Sequence, residues 1–485
     1  MTTSKITQTS ISDSLADAAE DHALVSVPEH DRQSGWRLAL SPVSVATALV
    51  IFAMAGFTVV LAGFSIGLFV GLLIAVLAFT LSKALGNMAF ATGVSSTITS
   101  RFFGFGLRGS SIGSIIFAFM ILGFLAIESA LLYEGTLLML DLDDTWTTRI
   151  VIYGLLTLLW ISLAIFGLKI ALNASGFMTI ITLLVTVYLI VQIYVIQGAN
   201  PMEVLTYDGV VPGGFVPKFE AAFGVMGATA GTIALVTTDF ARYARSRKDV
   251  TILSLAGPIV QNLLMVVLGA LVMIGGMPAV IDYILARNAG MSPGEAAEAG
   301  STFIMENTGA FFVIFAGWIG FITIYASQAK AQAINAYSGS LSLVNLIDAL
   351  TGWKPGRASM VVAGNIIALL MIAGGILGHF TQYLAYLGTM TFTMCGIMIA
   401  DYYFVRRAKY TRATHKIENW NWAGLLTMAL SSAVGFILMA TGVWALGFLA
   451  SLALSLIIYP VLRRMLPEGT WTKFASEEQA LEEAA

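Results

Sequence analysis

Glu128 and Lys330 are single charges inside stretches of chain that are otherwise almost wholly apolar. At the centre of a membrane helix a full charge costs about 2.5–3.5 kcal/mol on insertion scales, so such residues face a partner, a solute or a water-filled path. Glu128 follows Phe124 by four residues, which places an aromatic ring and a carboxylate on one helix face. Three roles are open to Glu128: a ligand contact, a proton carrier, because a carboxylate removed from water binds a proton more readily, or a protonated or salt-bridged structural acid. Lys330 has two readings. It either keeps its ammonium inside the span, where burial permits proton exchange, or ends the span at the membrane surface and snorkels. The chemistry implied is solute and ion translocation.

The elements that position these residues are membrane helices. A chain that is 58% hydrophobic and 11% charged, with a mean hydropathy of +0.85, is no water-soluble globule. About twelve apolar stretches meet the need for about 20 residues per crossing, at roughly 42–65, 67–90, 110–137, 149–168, 174–198, 219–241, 251–276, 308–341, 358–377, 379–404, 423–441 and 443–462. The reading is an all-α polytopic membrane protein whose partners are the lipid bilayer and a small-molecule solute. A net charge of −3 implies no nucleic-acid partner. The lone Cys395 excludes an intrachain disulfide and a cysteine-based metal site, and no cofactor or metal is expected.

The first 40 or so residues are polar and acidic with no apolar core before a small-residue cleavage site, which reads as a soluble tail and not a signal peptide. Basic residues then set the orientation. With a cytoplasmic N-terminus, the inner loops hold Arg101, Arg108, Lys169, Arg242, Arg245, Arg247, Lys248, Lys354, Arg357, Arg406, Arg407, Lys409, Arg412 and Lys416, while the outer loops hold Arg149, Lys218 and Arg287. Both termini are therefore expected inside, in a multi-pass protein of the cytoplasmic (inner) membrane. The outer segments carry Asp141, Asp143 and Asp144 after the third span, and Asp282, Glu295, Glu298 and Glu306 after the seventh, the latter long enough for a short surface helix. Glu477, Glu478, Glu482 and Glu483 read as a solvated tail.

Small residues mark expected helix interruptions. The first span runs Ile51-Phe52-Ala53-Met54-Ala55-Gly56-Phe57, and the sixth runs from Phe223 through Gly224, Gly227, Ala228, Thr229 and Gly231 to Thr232. Close helix packing explains such residues equally well. Spans one and six are, however, corresponding members of two five-helix halves, as inverted-repeat carriers require. The expected layout, read from hydropathy, is a tail over about 1–40 and a transport core over about 41–404, with repeats at about 41–198 and about 219–404. A loop over about 405–422, two further helices over about 423–462 and an acidic tail over about 463–485 follow.

Four motifs carry a family resemblance. Val94-Ser95-Ser96-Thr97-Ile98-Thr99-Ser100-Arg101-Phe102-Phe103-Gly104-Phe105-Gly106-Leu107-Arg108-Gly109-Ser110 resembles the loop after the second helix of the nucleobase:cation symporter-1 family, the purine/cytosine permease and hydantoin transporter relatives. Thr237-Thr238-Asp239-Phe240-Ala241-Arg242-Tyr243 is similar to that family's pattern ending the sixth helix, and Ile399-Ala400-Asp401-Tyr402-Tyr403-Phe404-Val405-Arg406-Arg407 to the stretch ending the tenth. Asn421-Trp422 opens the eleventh as the family's Asn-Trp does, and Phe52-Ala53-Met54-Ala55 resembles the first helix of the hydantoin transporter. The resemblance implies a LeuT-type 5+5 inverted-repeat core plus two C-terminal helices, working by alternating access as a permease, with a purine, cytosine or related compound as solute. By their own chemistry, Asp239 and Asp401 beside Arg242, Arg245, Arg406 and Arg407 read as paired charges that brace loops. Gly104, Gly106 and Gly109 suggest a tight interfacial loop and not a phosphate cradle, since no strand precedes them.

The resemblance also implies a site. It sets an aromatic residue and, four residues on, a Gln or Asn at the positions of Phe124 and Glu128, stacking on and bonding a flat ring. This chain departs from it with Phe for the usual Trp and an acid for the amide. A carboxylate accepts and does not donate, so Glu128 favours two adjacent N–H groups, as on an amidine, guanidine, aminopyrimidine or guanine-like edge. The implied solute site is Phe57, Phe124, Glu128, Thr229 and Gln332, between the broken first and sixth helices and the third and eighth. Alignment on Asn335-Ala336-Tyr337-Ser338-Gly339 puts Ala329 and Lys330 where sodium-coupled members carry hydroxyls. Lys330, beside the backbone carbonyls of Ala53 and Gly56, would then replace the ion, which points to proton coupling or uniport, with Glu128 the other coupling group. Sodium-coupled transport of a hydantoin, vitamin precursor or other heterocycle is the alternative. A channel needs a continuous polar stripe or charged ring, which isolated polar groups do not make. An enzyme needs clustered acids, bases or ligands, and His22, His30, His379 and His415 are scattered, with none near Glu128 in sequence.

Overall fold

The structure is a computed structural model that describes residues 26–166, 168–288, 290–410 and 416–475. Residues 1–25 of the expected tail, His22, Arg412, His415, the acidic Glu477, Glu478, Glu482 and Glu483, and the side chain of Lys169 lie outside the described residues. Among the described residues, ten helices are long and apolar enough to cross a membrane alone. A bent pair, Gly35–Ala46 and Leu49–Ala62, forms the first span, and the shorter Arg357–Ala373 is the ninth, giving the expected number of about twelve.

The other spans are Phe64–Thr92, Ser110–Leu140, Trp146–Ile165, Leu168–Val191 extended by a π-turn to Ile196, Phe215–Ala241, Arg247–Gly275, Gly309–Thr351, Phe380–Val405, Trp422–Ala440 and Gly447–Met465. They sort by packing. The first, second, sixth and seventh pack on one another, the eighth packs on the third, fourth, fifth and ninth, and the eleventh and twelfth pack together against the tenth. The third span is 89% buried over its most apolar window, against 17% for the fourth. Glu128 thus sits on a helix almost entirely enclosed by protein, which is where a charge is tolerated.

Three boundaries differ from the sequence reading. The first span begins at Gly35, inside the expected tail, and breaks by 65° at Thr47–Ala48, not within 51–57. Ala53 and Gly56 lie inside the continuous outer half, and a Cβ at Gly269 of the seventh span would approach Gly56 Cα to 2.7 Å. Gly56 is therefore small for close packing and not for a break. The sixth span is interrupted at Ala228 as expected, but Ala228 keeps helical angles (φ −56°, ψ −28°) and Phe215–Ala241 crosses as one segment. The eighth runs to Thr351, beyond the expected 341, with a kink at Gly317 (φ +51°) that a side chain would resist. Lys330 is consequently mid-helix.

The two ends differ in charge. At the basic end, the loop after the second span forms a helix, Ser96–Phe102, followed by Gly104 and Gly106 at φ +93° and +84°. Residues 94–106 of the loop are buried within the protein, and Arg108 is exposed. Asp239 Oδ1 accepts from Ser96 N at 2.7 Å and Asp401 Oδ2 from Gly104 N at 2.8 Å. Arg101, 1% exposed, pairs with Asp348 at 2.5 Å and bonds Asn345. So Asp239 and Asp401 brace the loop chiefly by capping its backbone, although Asp401 also pairs with Arg406 at 3.3 Å. Ile417–Glu418 pairs antiparallel with Phe474–Ala475, and Arg463 bonds Glu418 at 2.5 Å. At the acidic end, two helices, Met277–Arg287 and Pro293–Glu306, stand where one short helix was expected, and Arg287 reaches Asp141 at 2.6 Å. Hydrogen bonds from Arg149 hold the Asp144 carboxyl down at about 2.

The Gly56–Gly269 contact is testable. Gly269→Val drives a branched side chain into Gly56 backbone, and overpacking of this kind costs about 1–3 kcal/mol or more. The purified variant is expected to melt several degrees lower than the wild type in a detergent thermal-unfolding assay. An unchanged midpoint would show that the first and seventh helices are not in contact there.

Candidate functional site

Helix interruption leaves backbone groups that hydrocarbon cannot satisfy. At Thr47–Ala48 the eighth helix supplies the partners. Ser327 Oγ donates to Thr47 O at 3.2 Å, and Leu49 N donates to Gln328 Oε1 at 3.1 Å. Lys330 adds side-chain contacts beside the break, donating to Thr47 Oγ1 at 2.5 Å and to Thr179 Oγ1 of the fifth span at 2.8 Å. Its side chain is 1% exposed, so it does not snorkel. Its partners are two hydroxyls and not the carbonyls of Ala53 and Gly56, because the break lies earlier than expected and those residues sit within regular helix.

One turn further along the eighth helix begins a polar seam with the third. Gln332 Nε2 donates to Leu125 O and to Ser129 Oγ, each at 2.9 Å. Asn335 Nδ2 donates to Gln332 Oε1 at 3.2 Å and to Glu128 Oε2 at 3.3 Å. Trp160 Nε1 of the fourth span donates to Ser129 Oγ at 3.2 Å. Asn335 is the one hydrogen-bond donor to Glu128 among the described residues, and a carboxylate has room for several. Beside it, Phe124 meets Tyr383 of the tenth span edge-on, with centroids 5.9 Å apart, and Tyr383 Oη donates to Met120 O at 2.6 Å. The arrangement offers an under-filled carboxylate, amide groups and two aromatic rings.

Phe124, Glu128 and Gln332 thus come together. Phe57 and Ala53 line a neighbouring narrow cavity with Val225, Met273, Phe380 and Thr381. Its free volume of about 10 Å³ is about one water, so a ring-sized solute entering there requires the helices or side chains to part. Thr229 is turned elsewhere. Its hydroxyl donates to Met226 O and accepts from Gln261 Nε2 of the seventh span, both at 2.6 Å. Sequence reasoning missed Asn335, Thr47, Thr179, Gln328, Tyr383 and Gln261 as site residues. Gln328, Gln332 and Asn335 recur at helical spacing in an apolar span, which is a legible signal of one polar face. The hydroxyls on Lys330 had no such signal, since Thr is common in apolar helices.

The sequence matches the family model described as permease for cytosine/purines, uracil, thiamine and allantoin over residues 26–460. Among solved structures, the fold is similar to the inward-facing conformation of Mhp1, with a TM-score of 0.68 and 18% identity over 95% of this chain and 97% of that one. It is similar to Mhp1, a nucleobase-cation-symport-1 family transporter, in a closed conformation with bromovinylhydantoin bound, at 0.67 and 19% over 95% and 99%. A sodium-coupled sialic acid symporter in a substrate-bound outward-open state matches at 0.62 and 13% over 96% and 97%. No protein of curated function matches the sequence.

The Lys330 contacts generate a prediction. Thr47→Val keeps the shape at the break and deletes one acceptor of a buried ammonium, a loss worth about 1–3 kcal/mol. A lower thermal midpoint is expected for Thr47→Val and for Thr179→Val, with less-than-additive loss in the double variant if both serve the same ammonium. Wild-type stability in both single variants would place the ammonium elsewhere.

Proposed function

Because the chain belongs to the family of permeases for cytosine/purines, uracil, thiamine and allantoin, we propose that it imports a small nitrogenous solute through the Phe124–Glu128–Gln332–Asn335 seam. It is a secondary transporter of the nucleobase:cation symporter-1 type, working by alternating access, and not an enzyme. The solute class in this reading is a purine, cytosine or related amidine- or guanidino-bearing compound. The observation that carries it is Glu128, a buried carboxylate with one donor at 3.3 Å. An acceptor so placed is matched by a solute edge rich in N–H groups. Phe124 and Tyr383 provide flat apolar surfaces for its ring, and Phe57 closes the opposite side. Thr229 belongs to the site if Gln261 releases it when the helices part.

Coupling, in this reading, does not use sodium. The Lys330 ammonium rests against the break of the first helix, bonded to Thr47 and Thr179, and a fixed cation there leaves no place for a mobile one. Ala53 and Gly56 would then act only through packing of the outer half-helix. The coupling ion is the proton, with Lys330 and Glu128 as the titrating pair. The repeats at about 41–198 and 219–404 would rock about this site. The concentration of Lys and Arg at one end supports a cytoplasmic-membrane orientation with both termini inside.

Two measurements test the reading. Glu128→Gln removes a charge-assisted contact and is expected to weaken binding of an amidine or cationic ligand by about 1.5–3 kcal/mol, about tenfold or more, as read by calorimetry on the folded variant. Unchanged affinity would sink the ligand role. In proteoliposomes with sodium and proton gradients imposed separately, accumulation is expected to ignore sodium and to collapse with a protonophore. Sodium-driven accumulation would support the sodium-coupled reading that applies to the sialic acid symporter and would overturn this one.

A further inference from the structure

Glu128 and Lys330 form one charge balance. Glu128 is 3% exposed and Lys330 1% exposed. Asn335, which holds the carboxylate at 3.3 Å, follows Lys330 by five residues, about 7.5 Å of helix rise. The two acceptors on the ammonium, Thr47 and Thr179, are neutral hydroxyls presented by the first and fifth helices. Among the described residues no carboxylate lies within ion-pair distance of the Lys330 ammonium, and Glu128 of the third helix is the buried carboxylate held by the same eighth helix, through Asn335. Tyr383 of the tenth faces Glu128, and its phenol is occupied by Met120 O. The ionised pair is neutral as a whole, and a buried region of this kind strongly resists a net charge.

We propose that binding of an amidinium or guanidinium cation at Glu128 expels the proton of Lys330, so that the protein exchanges one bound cation for one proton. This rests on Glu128 as the solute contact. The balance is closed: the Lys330 ammonium loses one proton to water and becomes a neutral amine, and the bound cation replaces it as the counter-charge of Glu128. A neutral solute such as cytosine leaves Lys330 protonated. Cation and proton compete for one counter-charge, so apparent cation affinity falls by up to about tenfold for each unit the pH is lowered, and the linkage is reciprocal. A cation carried in one direction then returns a proton in the other, and the charge of the solute decides the sign of proton coupling.

The test counts protons. Purified full-length chain in weakly buffered detergent solution is titrated with guanidine hydrochloride, acetamidine hydrochloride or cytosine, and released protons are followed with a pH-indicator dye. About one proton per bound cation and none for cytosine is expected. Lys330→Met leaves Glu128 without its counter-charge, so the carboxyl takes up a proton and cation binding releases that one instead. Lys330→Arg, whose guanidinium does not give up its proton, should release none and bind cations at least about tenfold more weakly while keeping cytosine. Cation binding without release in the wild type overturns the exchange and leaves the Glu128 contact standing. Release that persists in Lys330→Arg puts the exchanging proton elsewhere than on Lys330 and also overturns it; should that variant not fold, the wild-type proton count decides by itself. A wild type that binds neither cation, or a Glu128→Gln variant that binds them undiminished, overturns the Glu128 reading and the exchange with it.

Discussion

Inside a membrane every backbone N–H and C=O needs a partner, and a helix broken at mid-depth is the point where that demand is hardest to meet. The first span breaks at Thr47–Ala48, and Ser327 and Gln328 of the eighth helix meet it, while Lys330, in the same turn, holds the Thr47 side chain. Much else follows from this suture. The eighth helix must lie alongside the break, which brings its next turn, with Gln332 and Asn335, against the third helix and Glu128. The fifth helix is drawn in through Thr179, because an ammonium bonded to one hydroxyl alone would be too poorly solvated.

The basic end is organised by the same demand. The short loop helix Ser96–Phe102 and the left-handed glycines after it expose backbone donors in a buried place, and two carboxylates ending neighbouring spans accept from them. Asp239 comes from the sixth span and Asp401 from the tenth, while Arg101 ties the loop to the end of the eighth. Elements from all three packing sets therefore meet at one loop. A movement of one helix set against another has to pass through these bonds or pivot around them.

Close packing and buried charge serve opposite ends in the molecule. Glycine pairs such as Gly56–Gly269 bring the first and seventh helices close enough to move as one body. Lys330 lies where the eighth helix meets the first, bonded to Thr47, and Glu128 lies where the eighth meets the third, bonded to Asn335. Of the two, only Lys330 lies on a contact between packing sets, so in the proposed exchange it is the loss of its charge that acts between them.

Composition and hydropathy determined the class, the approximate number of spans, and the two buried charges around which the proposed site is drawn. A charge in an apolar span is costly wherever it faces, so Glu128 and Lys330 were legible without coordinates. The motifs around Ser96, Asp239, Asp401 and Asn421 made the family legible as well. Tertiary structure decided the rest. Small residues at 51–57 and at 223–232 look alike in sequence, yet the first helix breaks at Thr47 and the sixth passes Ala228 without a comparable bend. Whether a glycine marks a break or a close contact depends on the helix opposite it, here Gly269. Counting residues placed Lys330 equally well at a surface or in the core, and the longer eighth helix put it in the core. Thr47, Thr179 and Gln328 could not be singled out in advance, because their roles exist only where helices far apart in sequence bring an orphan donor and an acceptor within 3 Å or so of each other.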